Sequence, residues 1–240
     1  DQIIRDGGSF IKTLDFDAAT GNLFAALATQ DDFTLHISTD NGQTWTETFR
    51  FVGEPRALDK VVVGGFVYVG YELESMPGQA FLARYFASNG ERDLSYSPFE
   101  VYRALPDTID EIALESNQDS FNNRIYYALI ASDGELRYEF DVASDGRTFE
   151  LRATGVTDAD RFLDMHWDAN GTDGTFLHFT YTNEDNEIRY FGAENFGSTP
   201  NTFISDVGFG DPTVISALQI TVMIVNYTPV GVVENSYFVS

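Results

Sequence analysis

Apolar and aromatic residues occur along the whole chain in short runs that are separated by glycine, asparagine and aspartate. These runs are rich in Val, Ile, Phe, Tyr and Thr, a composition that is typical of β-strands. Asn-Gly and Asp-Gly pairs recur between them, as at Asn41-Gly42 and Asp133-Gly134, and such pairs suit tight hairpin turns. Residues 23–29 (LFAALAT) suit a helix by propensity, but the turn residues on both sides favour a strand. The pattern predicts an all-β fold of antiparallel strands.

The predicted strands repeat in groups of four. Gly42, Gly90, Gly146 and Gly197 lie 48, 56 and 51 residues apart, and each follows a strand of similar composition. In every group two strands precede that strand and a fourth follows the glycine. Four antiparallel strands in about fifty residues are typical of a β-propeller blade. We therefore predict a single five-bladed β-propeller domain, with approximate blades at residues 6–52, 53–105, 106–156, 157–208, and 209–240 plus 1–5.

The fifth predicted unit is incomplete. Its strands are expected at residues 213–218, 220–227 and 235–240, with no fourth strand after them. We expect residues 1–5 (DQIIR) to supply the missing strand and close the ring. The alternative is that the chain is part of a longer propeller. The chain begins without Met, which favours a processed or excised chain.

Charge and composition exclude several classes of function. The chain has 14 Lys+Arg against 38 Asp+Glu, a formal net charge of -24. Nucleic acid is not an expected partner, because phosphate neutralisation needs clustered basic residues. No transmembrane segment is expected, since the longest apolar-rich stretch, residues 214–225, falls short of the roughly 20 residues that a spanning helix needs. Cysteine is absent, which excludes disulfides, thiolate metal sites and cysteine nucleophiles. His36, His166 and His178 are the only imidazoles in the sequence that could bind a metal or act in acid–base catalysis.

One segment carries a specific motif. Residues 38–45 (STDNGQTW) fit the pattern Ser-x-Asp-x-Gly-x-Thr-Trp. The motif positions are Ser38, Asp40, Gly42, Thr44 and Trp45, with a weaker second copy at Gly146, Thr148 and Phe149. In this spacing the Asp carboxylate can accept backbone N–H bonds inside the turn, and Gly adopts a backbone conformation that is closed to other residues. The motif resembles the Asp-box of sialidase-like (BNR) propellers, which forms the hairpin between the third and fourth strands of a blade.

The resemblance implies a scaffold more than an activity. Asp-boxes are structural, and they occur in sialidases, other glycan-active proteins, sortilin-type receptors and photosystem-assembly factors. The chain has no Arg-Ile-Pro motif, so we do not expect sialidase activity. We expect a secreted, periplasmic or cell-surface module without catalysis that binds a protein or glycan partner. The alternatives are a glycan-active hydrolase or lyase, and a structural subunit of a larger extracellular assembly.

The predicted inner strands share a further regularity. Each has an aspartate directly after an aliphatic residue, at Asp15, Asp59, Asp110 and Asp164. Side chains that pointed into the axial channel would form a ring of carboxylates, suited to acid–base catalysis on a glycan or to an oxygen-ligated cation. Five-bladed glycosidases use three funnel carboxylates from different blades. The alternative is that these aspartates bond local backbone at the beginning of each strand.

Residues 168–174 resemble a calcium-binding loop in composition. Asp168, Asn170 and Asp173 would be its candidate ligands, but the full ligand spacing and a distal Glu are missing. A hairpin loop explains the segment more simply. His166 and His178 flank it without a spacing typical of metal sites. We therefore expect no cofactor, and calcium is the one ion that the sequence brings into consideration.

Overall fold

The computed structural model describes residues 10–17, 19–28, 32–52, 55–96, 99–103, 108–117, 124–142, 151–167, 175–185, 187–194, 203–205, 220–223 and 236–239. Every regular element in these ranges is a β-strand. The described residues contain no helix that is long and apolar enough to cross a membrane.

Four sheets of four antiparallel strands follow one another along the chain, and each has its strands in sequence order. The first sheet contains β1 (Phe10–Phe16), β2 (Leu23–Ala28), β3 (Asp32–Ser38) and β4 (Thr46–Val52). The second contains β5 (Pro55–Val63), β6 (Phe66–Leu73), β7 (Gln79–Phe86) and β8 (Phe99–Arg103). The third contains β9 (Ile109–Asn117), β10 (Arg124–Ala131), β11 (Leu136–Val142) and β12 (Arg152–Ala153). The fourth contains β13 (Ala159–Trp167), β14 (Thr175–Asn183), β15 (Ile188–Glu194) and β16 (Phe203–Ser205).

These sheets confirm the predicted all-β fold of antiparallel four-stranded units. Residues 23–28 of the ambiguous LFAALAT segment form the strand β2, in which Phe24, Ala25, Ala26 and Leu27 are buried on both faces of the first sheet. Short strands connected by tight turns also explain the positive φ angles of Asn41 (59°) and Gly42 (80°) between β3 and β4.

A last antiparallel pair consists of β17 (Ile220–Met223) and β18 (Ser236–Val239). Strand β17 contacts β13 and β14 of the fourth sheet. Residues 1–9 and 206–219 lie outside the described residues, and with them the predicted strand at 213–218 and the closing role of residues 1–5. The number of blades and the closure of the ring stay predictions.

The hydrophobic core lies between consecutive sheets. The rings of Phe33 and Tyr71 join the first sheet to the second, with centroids 5.7 Å apart. A cluster that includes Tyr127 joins the second sheet to the third, and Tyr138 and Phe179, 5.4 Å apart, join the third to the fourth. Full burial of one large apolar side chain contributes roughly 1.5–3 kcal/mol. The sheets are therefore held face to face by apolar and aromatic layers.

The first strands of the sheets lie side by side, since β1 contacts β5, β5 contacts β9 and β9 contacts β13. We call these four strands the inner strands. In β5, Leu58 and Val62 pack towards the first sheet and Val61 packs towards the third. Because side chains alternate along a strand, Lys60 shares the face of Leu58 and Val62, and Asp59 faces the third sheet.

Replacement of Gly134 by Ala tests how tightly the third sheet approaches the chain that leads into β13. Gly134 has φ +82°, and a Cβ there would lie 2.6 Å from the carbonyl oxygen of Thr157. Gly65→Ala is the matched control, because Gly65 has φ +81° and nothing within 4 Å of an added Cβ. We expect Gly65→Ala to cost about 1–2 kcal/mol through backbone strain alone, and Gly134→Ala to cost about 1–3 kcal/mol more through steric overlap. Chemical denaturation measures both, and equal losses would contradict the close approach.

Candidate functional site

The inner strands bring carboxyl groups together. Asp15 on β1, Asp59 on β5 and Asp164 on β13 all act electrostatically on Glu115 of β9. The three aspartates belong to the four that the sequence pattern singles out. Glu115 is not among those four, although it follows Leu114 as the aspartates follow aliphatic residues. We call Asp15, Asp59, Glu115 and Asp164 the inner carboxyl cluster.

Two members of the cluster bind backbone amides of two sheets at once. Asp15 Oδ1 accepts the N–H of Phe16 (2.7 Å), and its Oδ2 accepts the N–H of Val62 in the second sheet (3.0 Å). Asp59 repeats this arrangement one sheet further on, with the N–H of Lys60 (2.8 Å) on Oδ1 and that of Leu114 in the third sheet (2.7 Å) on Oδ2. Both carboxylates therefore link neighbouring sheets, in addition to the local backbone bonds expected at a strand.

Glu115 differs from these two aspartates. Its Oε1 accepts the N–H of Ser116 (2.7 Å), as in the aspartates. Its Oε2 binds no backbone amide of the described residues and lies 3.7 Å from Nδ1 of His166 in the fourth sheet. The side chain of Glu115 is 25% exposed and that of His166 is 38% exposed. Glu115 thus keeps one oxygen that is accessible and uncommitted to the backbone.

The crowding of acidic groups changes their proton affinities. Burial raises the pKa of Glu115 to about 8, and the charges of Asp164, Asp15 and Asp59 add to the shift. Burial also raises the pKa of Asp59 to about 7, although its amide bonds and the charge of Lys60 oppose the shift. At neutral pH Glu115 is therefore mainly protonated, which is the state that a general acid needs.

The fourth sheet adds polar groups beside Glu115. His166 pairs in register with His178 on the next strand, so both side chains lie on the same face. Nδ1 of the buried His178 lies 2.6 Å from the hydroxyl of Tyr190. Within the described ranges, no group of three or more His, Asp or Glu residues is arranged to hold a metal ion.

The predicted Asp-box segment forms the turn between β3 and β4. Asp40 accepts the N–H of Thr44 on Oδ1 (2.8 Å) and the Thr44 hydroxyl on Oδ2 (2.6 Å). The Ser38 hydroxyl accepts the N–H of Gly42 (2.8 Å) and donates to Asp40 (2.8 Å). The bonds from Thr44 and then Ser38 lower the pKa of Asp40 to about 2. The half-buried Trp45 follows the turn, and the whole segment has the bonding that the motif's spacing predicts.

The remaining predicted residues lie elsewhere. Asp110 is exposed near the beginning of β9, five positions and about 17 Å along the strand from Glu115. The candidate calcium ligands Asp168, Asn170 and Asp173 lie outside the described residues, as do Gly146, Thr148 and Phe149 of the second motif copy. Of the four aspartates proposed for the channel, the structure thus groups Asp15, Asp59 and Asp164.

Solved structures of similar fold include glycoside hydrolases. A GH62 hydrolase in complex with xylotriose has a TM-score of 0.53 and 10% identity, over 83% of this chain and 70% of that one. An engineered GH43 glycoside hydrolase with endo-xylanase and exo-arabinofuranosidase activity has a TM-score of 0.53 and 11% identity, over 81% and 39%. GH43B of the Bacteroides ovatus xyloglucan PUL has a TM-score of 0.51 and 11% identity, over 83% and 43%.

The chain therefore spans less than half the length of the two GH43 proteins. No protein-family model matches it, and no curated protein matches it. At this identity the likeness shows the fold alone, and it places the chain among the β-propellers.

The raised pKa values predict that the protein is less stable at pH 8 than at pH 5. The folded state holds protons on Glu115 and Asp59 at pH values where the unfolded chain, with ordinary pKa values of 4.5 and 3.8, has released them. Stability therefore falls as pH rises through this window. We expect a loss of about 2 kcal/mol or more, since one pKa unit corresponds to about 1.4 kcal/mol.

Urea denaturation at pH 5, 6, 7 and 8 measures this slope. Glu115→Gln should flatten it, because the neutral amide has no proton to lose. Glu74→Gln, at an exposed position outside the cluster, is the control and should keep the wild-type slope. An unchanged slope in Glu115→Gln would contradict the raised pKa.

Proposed function

We propose that the protein is a glycan-active hydrolase whose chemistry takes place at the inner carboxyl cluster. The observation that carries the proposal is the pairing of Glu115, mainly protonated at neutral pH and with Oε2 uncommitted to the backbone, with the negative charge of Asp164. Hydrolysis of a glycosidic bond needs one protonated and one ionised carboxyl group flanking the bond. The likeness in fold to glycoside hydrolases supports this class of reaction over others that use carboxyl groups.

Each residue has a role in the proposed reaction. Glu115 donates its proton to the glycosidic oxygen as the bond to the anomeric carbon breaks. Asp164 is the carboxylate that acts at the anomeric carbon, either by activating water or by direct attack. His166, beside Oε2, stabilises the Glu115 carboxylate that remains after proton donation. Asp15 and Asp59 orient the inner strands through their amide bonds.

The same comparisons support a choice of substrate class. One neighbour holds xylotriose and a second has xylanase and arabinofuranosidase activity, so pentose-containing polysaccharides are the first substrates to test. Such polymers are found outside cells, in keeping with the expected secreted, periplasmic or cell-surface location. The proposed reaction needs only carboxyl groups and water.

A non-catalytic binding module is the second candidate. The observation that favours it is the commitment of both oxygens of Asp15 and of Asp59 to backbone amides. In that case the cluster supports the scaffold, and a glycan or protein partner binds elsewhere. A non-catalytic Asp-box propeller of this kind is the main expectation from the sequence, and the glycan-active hydrolase is its alternative.

Glu115→Gln separates the two candidates. Xylan, arabinoxylan, arabinan and xyloglucan fragments are incubated with the protein, and released sugars are measured by chromatography. For a hydrolase we expect kcat to fall by about 10²–10⁴ in Glu115→Gln, because general acid catalysis contributes this much, and by a similar factor in Asp164→Asn. Glu74→Gln should keep wild-type turnover.

The reaction would also be lost at high pH, where Glu115 releases its proton. The alkaline limb of the kcat/KM profile should fall at pH about 8. Glycan binding by calorimetry with no turnover by the wild type would instead favour the binding module. Wild-type turnover in Glu115→Gln would contradict the role of Glu115 as the acid.

A further inference from the structure

Lys60 is a buried cation at the centre of the inner strands. Its side chain is only 3% exposed, and its Nζ has no hydrogen-bond partner among the described residues. It is one of two lysines in a chain with 38 acidic residues. Burial of an unpaired ammonium group is costly, so its place in the protein needs a physical reason.

The position of Lys60 in β5 supplies that reason. Its own N–H is bound by Asp59 Oδ1 (2.8 Å), and the N–H of Val62, on the same edge of the strand, is bound by Asp15 Oδ2 (3.0 Å). The Lys60 side chain lies on the face of β5 that packs towards the first sheet, the sheet that carries Asp15. Asp15 and Asp59 are the two groups whose negative charge favours its protonated form.

We propose that the Lys60 ammonium is the built-in counterion of the inner carboxyl cluster, holding Asp15 and Asp59 as carboxylates that link the sheets. An amide-capping carboxylate must be ionised to accept N–H bonds on both oxygens, and this ionisation is costly where four acidic groups converge. A covalently attached cation lowers that cost without an ion from solution. The role is distinct from the proposed catalysis, because it concerns the scaffold under Glu115.

The pH dependence of stability distinguishes a counterion from a merely buried lysine. The groups that face Lys60 or its carboxylates are Asp15 on β1, Asp59 on its own strand, Glu115 on β9 and Asp164 on β13. Burial raises the pKa of Asp59 to about 7 and lowers that of Lys60 to about 8. At pH 5 Asp59 is therefore mainly protonated, whereas at pH 7.5 Asp59 is mainly ionised and Lys60 is still mainly protonated. The cluster therefore needs its counterion most at the higher pH.

The experiment is the melting temperature of Lys60→Met at pH 5 and at pH 7.5. We expect a fall of about 5 °C or more at pH 7.5 relative to wild type, and a smaller fall or a rise at pH 5. Asp59→Asn should recover most of the loss in the double variant, because it removes the charge left without a counterion. Lys12→Met makes the same change in net charge on β1 and should show no such pH dependence.

Equal effects of Lys60→Met at both pH values, or no recovery by Asp59→Asn, would overturn the proposal.

A second measurement tests the proposal even if the Lys60→Met variant does not fold. Lysine labelled with ¹³C at Cε gives two signals, which Lys12→Met assigns. Burial lowers the pKa of Lys60 to about 8, and Asp15→Asn and Asp59→Asn should each lower it further, by about one unit. An unchanged Lys60 titration in both variants would also overturn the proposal. Neither readout depends on hydrolysis, so failure here and failure of the proposed function can be told apart.

Discussion

The free edge of each inner strand is the constraint on which the rest of the structure depends. Strands β1, β5, β9 and β13 are the first strands of their sheets, so the amides on their outer edges have no strand partner within the sheet. Buried amides must be hydrogen-bonded, and an open edge invites pairing with another chain. Here a carboxylate from one inner strand binds the amide that follows it and an amide of the next inner strand. One carboxylate thus accepts hydrogen bonds from the edge amides of two sheets and holds the two sheets next to each other.

The use of carboxylates to bind these edge amides concentrates negative charge along the inner strands. The raised pKa values and the buried lysine of this region follow from that charge. The convergence of inner carboxyls adds to the effect of burial on the pKa of Asp59 and Glu115, and it gives Lys60 a reason to be buried. Glu115 is one methylene longer than the aspartates, and its Oε2 reaches His166 of the fourth sheet instead of a backbone amide. Glu115 and the aspartates therefore differ by one methylene group and in the partner of the second carboxyl oxygen.

The sequence predicted the sheets better than the site. Short runs of strand-forming residues, turn dipeptides and the spacing of Gly42, Gly90, Gly146 and Gly197 are local features of the sequence, and these were enough for strand type and order in four sheets. Which charged side chains meet at the inner strands depends on the register between neighbouring sheets, and local sequence patterns do not encode that register. Asp110 shares the local pattern of Asp15 but lies at the exposed beginning of β9. Glu115 and Lys60 could have been found only by asking which charged residues fall in the middle of an inner strand.

The likeness to glycoside hydrolases does not by itself distinguish an active enzyme from a scaffold, because a propeller of any function must satisfy the same inner edges. A purely structural cluster would commit every carboxyl oxygen to an amide, as Asp15 and Asp59 do, and would gain nothing from a protonated, partly exposed acid. Glu115 departs from that rule on both counts, since one oxygen is uncommitted and burial raises its pKa to about 8. A buried acid that costs folded-state stability without bonding an amide of the next sheet is the kind of residue that selection for function retains. The proposed catalysis therefore depends on Glu115, and the aspartates around it form the framework that creates its environment.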